Sequence, residues 1–127
     1  MQQTIQQKRA KFALERIQKL PVKLKPNEQV EFISYASGLP AMIHMNGLGQ
    51  AMAFCKLKGK ERESYQQLYQ LVSDWLCDAG QPYQNQTDVL TGITQSDMTH
   101  YQLAQAEALV LMSWVKKFAK AFLAEEG

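Results

Sequence analysis

Few side chains in this chain could act as nucleophiles or general bases. They are two histidines, His44 and His100, and two cysteines, Cys55 and Cys77. A Cys–His dyad needs a third group to orient the base and donors to stabilise an oxyanion. No sequence motif supplies either one. The sequence therefore predicts packed thiols and surface or half-buried histidines, and we expect the protein not to be an enzyme.

Metal and cofactor sites are not predicted either. No grouping of His, Cys, Asp and Glu matches the motif of a known metal site. The closely spaced carboxylates fall at expected helix ends, where solvation explains them; they are Glu61 with Glu63 and Glu125 with Glu126. The two cysteines lie outside CxxC patterns, which is typical of reduced thiols in a cytoplasmic protein. We expect no metal and no cofactor.

The segment Asn46-Gly47-Leu48-Gly49-Gln50 could present backbone N–H groups to an anion, because a helix is predicted to begin there. It lacks the Gly-Lys-Ser/Thr ending of a phosphate-binding loop, and no strand precedes it. The alternative is that the small residues permit a turn and close helix packing. We favour packing, and a backbone contact to a nucleic-acid phosphate stays open.

Glu107 is the unusual residue of the last predicted helix, because its position on a helical wheel falls on the core side, close to Leu111 and Phe118. A buried carboxylate needs a partner, since an uncompensated charge there is costly. Two interpretations remain open. One is a contact to another subunit, and the other is an internal partner such as the N–H groups of residues 46–49. We favour an internal partner.

Positive charge is concentrated in the first half of the chain. Residues 1–60 hold ten Lys or Arg and three Asp or Glu, a net charge of +7. Residues 61–127 hold four and nine, a net charge of −5. This asymmetry indicates a polyanion-binding face or head-to-tail self-association, unless the charges only solvate the surface.

A basic stripe beside the apolar stripe of the first predicted helix is the best candidate for a binding surface. Lysine and arginine on one face contact phosphates without reading bases. Phe12 lies among them and could stack on a base, although an aromatic at this spacing is more often part of the core. The candidate basic residues are Lys8, Arg9, Arg16 and Lys19 on the helix, with Lys56, Lys58 and Lys60 in a later basic loop.

Composition and periodicity predict a single all-α domain covering residues 1–127, a compact bundle of about five to six helices. Apolar residues make up 46% and charged residues 20%, which fits a globular chain. No segment alternates convincingly with period two, so strands are not expected. The amino-terminal segment lacks the apolar core of a signal peptide, and no apolar run reaches the roughly 20 residues of a membrane span.

Breaker residues predict where the helices end. The first helix should cover residues 3–20, and an extended connector should follow between Pro21 and Pro26. Asn27 should cap the second helix, and a kink or break is expected around Gly38 and Pro40. Asn46-Gly47 should interrupt it again, leaving a short helix at residues 48–58.

The second half of the chain has two clear helical patterns. They cover residues 61–77 and about 97–124, separated by a polar linker at 79–87 and a short apolar piece at 89–93. The last helix is apolar nearly all round between Ala108 and Val115, which predicts a central helix or an interface helix.

Two stretches of this sequence resemble a known family. They are LPAMIHMNGLGQAMAFCKLKGK at residues 39–60 and EALVLMSWVKKFAKAF at residues 107–122. Together with Tyr65 and Trp75-Leu76 between them and Tyr101 before Glu107, they look like the small helical subunit of type III-B CRISPR effector complexes, the fifth protein of the Cmr complex. The resemblance covers most of the chain after the first helix.

The resemblance implies a compact helical bundle whose copies stack into a short filament beside the guide-RNA backbone filament. It implies sequence-independent contacts to the guide RNA–target RNA duplex, with the catalytic activities in other subunits, which are the expected partners. The residues that match the family motifs are Asn46, Gly47, Gly49 and Gln50 in the centre and Glu107, Trp114, Lys116 and Lys117 near the end. Lys116 and Lys117 thereby join the candidate RNA contacts.

One position departs from the family pattern. A basic residue is common just before the Asn-Gly pair, where this chain has His44, and histidine is largely neutral near pH 7. The alternative function is a helical protein–protein adaptor that touches no nucleic acid and docks through its apolar last helix.

Overall fold

The computed structural model describes residues 2–125, and within them it contains α-helices and no strand. The five helices of this range are α1 (Ile5–Lys23), α2 (Pro26–Lys58), α3 (Glu63–Leu76), α4 (Val89–Gln95) and α5 (Met98–Phe122). The predicted all-α class is confirmed. All five helices contribute side chains to one hydrophobic core cluster.

Helix α1 begins at a capping box and continues past the proline that was expected to end it. Thr4 accepts a hydrogen bond from the Gln7 backbone N–H, and the Thr4 backbone N–H donates to the Gln7 side chain. Pro21 lies inside the last turn, so the prediction of an extended connector from residue 21 is wrong. A proline there gives up one late hydrogen bond, and the continued helix places Leu20 and Leu24 in the core.

Helix α2 is also longer than predicted. It starts at Pro26, with Lys25 rather than Asn27 as its N-cap, because proline is well suited to the first helical position. The kink or break expected around Gly38 and Pro40 is absent: of the residues inside α2, only Gly47 has non-helical φ and ψ. Leu39 and Ile43 are fully packed on the core side of this stretch, which holds the helix together across Pro40.

The interruption predicted at Asn46-Gly47 is confirmed. Gly47 has φ 87° and ψ 160°, a combination that is open essentially to glycine alone. This residue, which we call the elbow, divides α2 into a first arm (residues 26–46) and a second arm (residues 48–58). The elbow turns the second arm so that it can pack against α3, as the contacts of Phe54 with Tyr65 and of Lys56 with Tyr69 show.

Helix α5 packs against α1, α2 and α3, whereas α2 packs against all four other helices. Helix α5 meets α1 where Arg9 pairs with Glu107. Just after α5, the Ala124 backbone N–H donates to Gln29 at the start of the first arm. The buried face of α5 is rich in small side chains, which let the neighbouring helices approach closely; the buried residues are Ala104, Ala108, Leu111, Met112, Val115 and Ala119.

The predicted polar linker before α4 is anchored to the core. Tyr83 is 1% exposed, and its backbone N–H donates to the Leu76 carbonyl. Asp88 caps α4 and also accepts a hydrogen bond of 2.6 Å from the Tyr69 hydroxyl. No helix in residues 2–125 has the length and apolar character needed to cross a membrane.

Candidate nucleic-acid interface

The backbone donors that follow the elbow are used by α5. The Leu48 N–H donates to Gln105 Oε1 at 2.9 Å, and the Gly49 N–H donates to the Tyr101 hydroxyl at 2.9 Å. These are donors at the start of a helical arm, which have no intrahelical partner and need another acceptor. Side chains of α5 supply these acceptors, which supports the packing interpretation of the Asn-Gly motif. The two N–H groups are therefore not available to bind an anion.

The glycines of this motif are needed for that close approach. A Cβ atom on Gly47 would lie 2.9 Å from the Tyr101 hydroxyl oxygen, and one on Gly49 would lie 3.6 Å from it. Around the elbow, His44, Asn46 and Gln50 are exposed, and Met45 is 82% exposed. The outer surface of the elbow therefore carries no lysine or arginine. Its inner side is held to α5 by the hydrogen bonds of the Leu48 and Gly49 N–H groups.

Glu107 has an internal set of partners, although not the one that the sequence suggested. Its carboxylate accepts from Arg9 Nε at 2.5 Å and from Arg9 Nη2 at 2.9 Å, and Trp75 Nε1 donates to it at 2.9 Å. The N–H groups of residues 46–49 are not its partners. The Arg9 and Glu107 side chains are only 10% and 14% exposed, so this pair joins α1 to α5 inside the protein.

Arg9 is therefore not a free surface cation. The hydrogen bonds to Glu107 raise the pKa of its guanidinium above the ordinary value, against the opposing effect of burial, and it stays charged. We leave Arg9 out of the proposed RNA contacts, because its Nε and Nη2 are bound to Glu107 and its side chain is only 10% exposed. On the wheel, Arg9 borders the core stripe, whereas Lys8 lies further toward solvent.

Arg16 and Phe12 are also engaged within the protein. Arg16 Nη1 donates to Asp74 Oδ2 at 2.6 Å, and its guanidinium lies 5.4 Å from the Phe12 ring centroid. Phe12 packs against Trp75 with 5.0 Å between ring centroids. These contacts favour the interpretation of Phe12 as a packing residue over stacking on a base. The ion pair of Arg16 joins α1 to α3.

The remaining candidates form what we call the lysine set, which lies on three helices and in one turn. Lys8 and Lys19 are exposed on α1, Lys56 and Lys58 are exposed at the end of the second arm, and Lys60 is exposed in the turn after it. On α5, Lys117 is exposed and Lys116 is half-buried.

Two of the exposed lysines that the sequence analysis left out lie beside recognised ones. Lys11 lines the same groove as Lys8, between α1 and residues 78–81. Lys120 lines a shallow depression on α5 together with Lys116 and Lys117. Helical spacing of three and four residues from the recognised lysines was the signal that could have found both.

Two lysines of the second arm rest on aromatic rings. Lys56 Nζ is 4.9 Å from the centroid of the Tyr69 ring, and Lys58 Nζ is 5.8 Å from the centroid of the Phe54 ring. Both distances fall within the range of cation–π attraction. Trp114, the remaining motif residue, is half-buried and stacks on Phe118 with 5.6 Å between centroids.

Both cysteines are free thiols, Cys55 buried and Cys77 half-buried. Burial raises the pKa of Cys55 to about 12, and burial also raises the pKa of the half-buried Cys77. Both cysteines are therefore protonated near neutral pH, where the thiolate is the nucleophilic form. His100 pairs with Asp97 at the start of α5, while His44 lies near the elbow. Within residues 2–125, no three potential metal ligands converge.

Comparisons with known proteins agree with this fold. A family model described as "CRISPR-associated protein (Cas_Cmr5)" matches residues 5–122. The crystal structure of a CRISPR-associated Cmr5 family protein from Thermus thermophilus has the same fold, with a TM-score of 0.73 at 23% identity over 98% of this chain and 100% of that one. The class of protein is thus a small all-helical CRISPR-associated subunit. The chain belongs to the Cmr5 family, and this membership links it to the type III-B effector complex.

Proposed function

We propose that this protein is a non-catalytic structural subunit of a type III-B RNA-guided antiviral complex, where its lysine set holds RNA through phosphate contacts. The observation that carries the proposal is the division of its basic residues. Arg9 and Arg16 are held in internal ion pairs, whereas the lysine set is exposed except for the half-buried Lys116. Its companions are the other subunits of that complex, and it acts in the cytoplasm.

Lysine suits contacts that do not depend on sequence. Its ammonium is a compact point charge that meets phosphate oxygens without the planar geometry that reads a base edge. The guide RNA–target RNA duplex is the proposed polyanion, and the affinity should fall steeply with salt because counterions are released on binding.

Stacking between copies is the second part of the proposal. Exposed acidic side chains lie on and around α3 and at the start of α5, at Glu61, Glu63, Asp78 and Asp97. The lysines of α1 present the opposite charge, and such complementarity supports head-to-tail contact in a filament.

A protein–protein adaptor with no RNA contact is the alternative, and one feature favours it. Four large apolar side chains of α5 are exposed: Met98 at 73%, Leu103 at 56%, Val110 at 44% and Phe122 at 51%. Exposed apolar groups along one helix are suited to a protein partner. If the protein is such an adaptor, RNase treatment would leave its complex intact. High salt would separate copies that are held together by opposite charges.

Neutralising two lysines of the basic stripe is expected to weaken RNA retention by the assembled complex. Lys8→Gln with Lys19→Gln should reduce the slope of log affinity against log salt by about one for each lost phosphate contact. The matched control is Gln6→Glu with Gln18→Glu, which changes the net charge of the same helix equally at exposed positions. The measurement is RNA binding at several salt concentrations.

The two variants separate local contacts from overall charge. The proposal expects Lys8→Gln/Lys19→Gln to lose more RNA affinity than the control Gln6→Glu/Gln18→Glu. The melting temperatures of both variants should stay unchanged. Equal losses of RNA affinity in the two variants would show that only the net charge of α1 matters. If neither variant lost affinity, the α1 lysines would not belong to the RNA interface. Arg9 and Arg16 are unsuitable for this test, because changing them breaks internal ion pairs.

A further inference from the structure

We propose that Phe54 is a positioning residue that holds the Lys58 ammonium ready for an RNA phosphate, an inference that rests on the function proposed above. The two residues are four positions apart on the second arm, and their side chains therefore lie on the same side of the helix. Lys58 Nζ is 5.8 Å from the Phe54 ring centroid. Phe54 itself touches no RNA in this proposal.

The Phe54 ring is held by other aromatic rings. It meets Tyr65 edge to face, with 5.7 Å between centroids and 84° between planes. Tyr65 in turn stacks on Tyr35 with 3.7 Å between centroids and 12° between planes. This aromatic row, Tyr35–Tyr65–Phe54, crosses from the first arm through α3 to the second arm, so the ring under Lys58 is fixed by both sides of the elbow.

A fixed ring changes what a surface lysine can do. A free lysine side chain samples many rotamers and must lose that freedom when it binds. Attraction to the ring face restricts Lys58 before RNA arrives. The ammonium has three donors, and the ring occupies one side of it, so the others stay available to phosphate oxygens.

The Lys58 ammonium takes part in none of the ion pairs described within residues 2–125. Those ion pairs use Arg9, Arg16, Arg62 and His100 as the basic partner. Arg62, the N-cap of α3, is bound to Glu31. Lys58 is thus oriented by a neutral ring rather than neutralised by a carboxylate.

Neighbouring lysines provide comparison. Lys60 lies exposed in the turn after α2, beyond the helical spacing that places Lys58 over its ring. Lys56 also lies over a ring, but that ring belongs to Tyr69, which is fully buried and whose hydroxyl donates to Asp88. Substituting Tyr69 would disturb the core, whereas Phe54 is half-buried and can be changed with less consequence.

The test uses the assembled complex and four variants of this subunit. Phe54→Leu removes the π face, Phe54→Tyr keeps it, Lys58→Gln removes the charge, and the double variant Phe54→Leu/Lys58→Gln removes both. RNA affinity is measured against salt for each one, and thermal unfolding of each variant checks the fold.

The proposal expects a specific order of effects. Lys58→Gln lowers the affinity and reduces the salt slope by about one. Phe54→Leu lowers the affinity by about two- to five-fold, the loss expected for an exposed cation–π contact. Phe54→Tyr stays at the wild-type value, and the double variant is no weaker than Lys58→Gln alone, because Phe54 acts through Lys58.

Other outcomes overturn the inference in recognisable ways. If Lys58→Gln weakens binding while Phe54→Leu does not, the positioning role fails and the RNA-binding function survives. If Phe54→Tyr loses as much as Phe54→Leu, or if the two losses add in the double variant, Phe54 acts through packing alone. If neither Lys58→Gln nor the α1 lysine variant changes binding, the proposed RNA contact itself fails.

Discussion

Glu107→Ala is expected to lower the free energy of unfolding by about 3–5 kcal/mol, the cost of breaking a buried ion pair from one side. The substitution leaves the Arg9 guanidinium uncompensated at 10% side-chain exposure. It also removes the acceptor of the Trp75 indole N–H, which donates to Glu107 at 2.9 Å. The loss is measured by denaturant unfolding at constant pH and salt.

Two controls identify the cause of this loss. Arg9→Met with Glu107→Gln removes both charges yet keeps an acceptor for Trp75, so it should recover much of the stability lost in Glu107→Ala. Arg62→Ala breaks a pair whose arginine side chain is 55% exposed, and it should cost no more than about 1 kcal/mol. A Glu107→Ala variant as stable as Arg62→Ala would contradict the internal role of this pair.

Gly47→Ala is the second substitution with a large expected effect. The backbone of Gly47, at φ 87° and ψ 160°, carries a cost of about 1–3 kcal/mol for a residue with a side chain. The new Cβ would also lie 2.9 Å from the Tyr101 hydroxyl, which accepts the Gly49 N–H. Relieving that clash moves Tyr101 or turns the second arm, and both weaken the contact between α2 and α5.

The same helix offers a matched control. Gly38 is exposed, its backbone is helical, and a Cβ there meets no atom within 4 Å. Gly38→Ala should therefore stabilise the protein by roughly 0.5–1 kcal/mol, because alanine is favoured over glycine in a helix interior. Chemical denaturation of both variants measures the contrast. Equal effects at the two positions would show that the elbow tolerates a side chain.

The elbow also connects stability with the proposed function. Lys56 and Lys58 lie on the second arm, whose direction is set at Gly47 and held by Tyr101 and Gln105. A turn of this arm would move both lysines relative to those of α1. Gly47→Ala should accordingly weaken RNA retention as well, while Gly38→Ala should not.

Much of the fold follows from local patterns in the sequence. Apolar spacing predicted α3 and α5, and Asn46-Gly47 marked the elbow because glycine alone adopts its backbone angles. Pro21 and Pro40 misled the prediction, since burial of Leu20, Leu24, Leu39 and Ile43 outweighs a missing hydrogen bond. Packing of this kind depends on distant helices, and a local pattern does not contain it.

The site was harder to predict for the same reason. Arg9 and Lys8 are adjacent and equally basic in sequence, yet one meets a carboxylate 98 residues away and the other faces solvent. The need of Glu107 for a partner followed from its wheel position, but the identity of that partner depended on how α1 docks. The Asp97–His100 pair, three residues apart, was a local signal of helix capping that the sequence analysis overlooked.

The central claim is that this chain is a subunit of an RNA-guided complex, and co-purification tests it most directly. The tagged chain would be expressed in its native host, purified gently, and analysed for companion proteins and bound RNA. The account predicts a fixed set of companions together with small RNAs of uniform length that share a repeat-derived end. A lone protein free of RNA, or a set of partners unrelated to RNA, would contradict it and favour the adaptor.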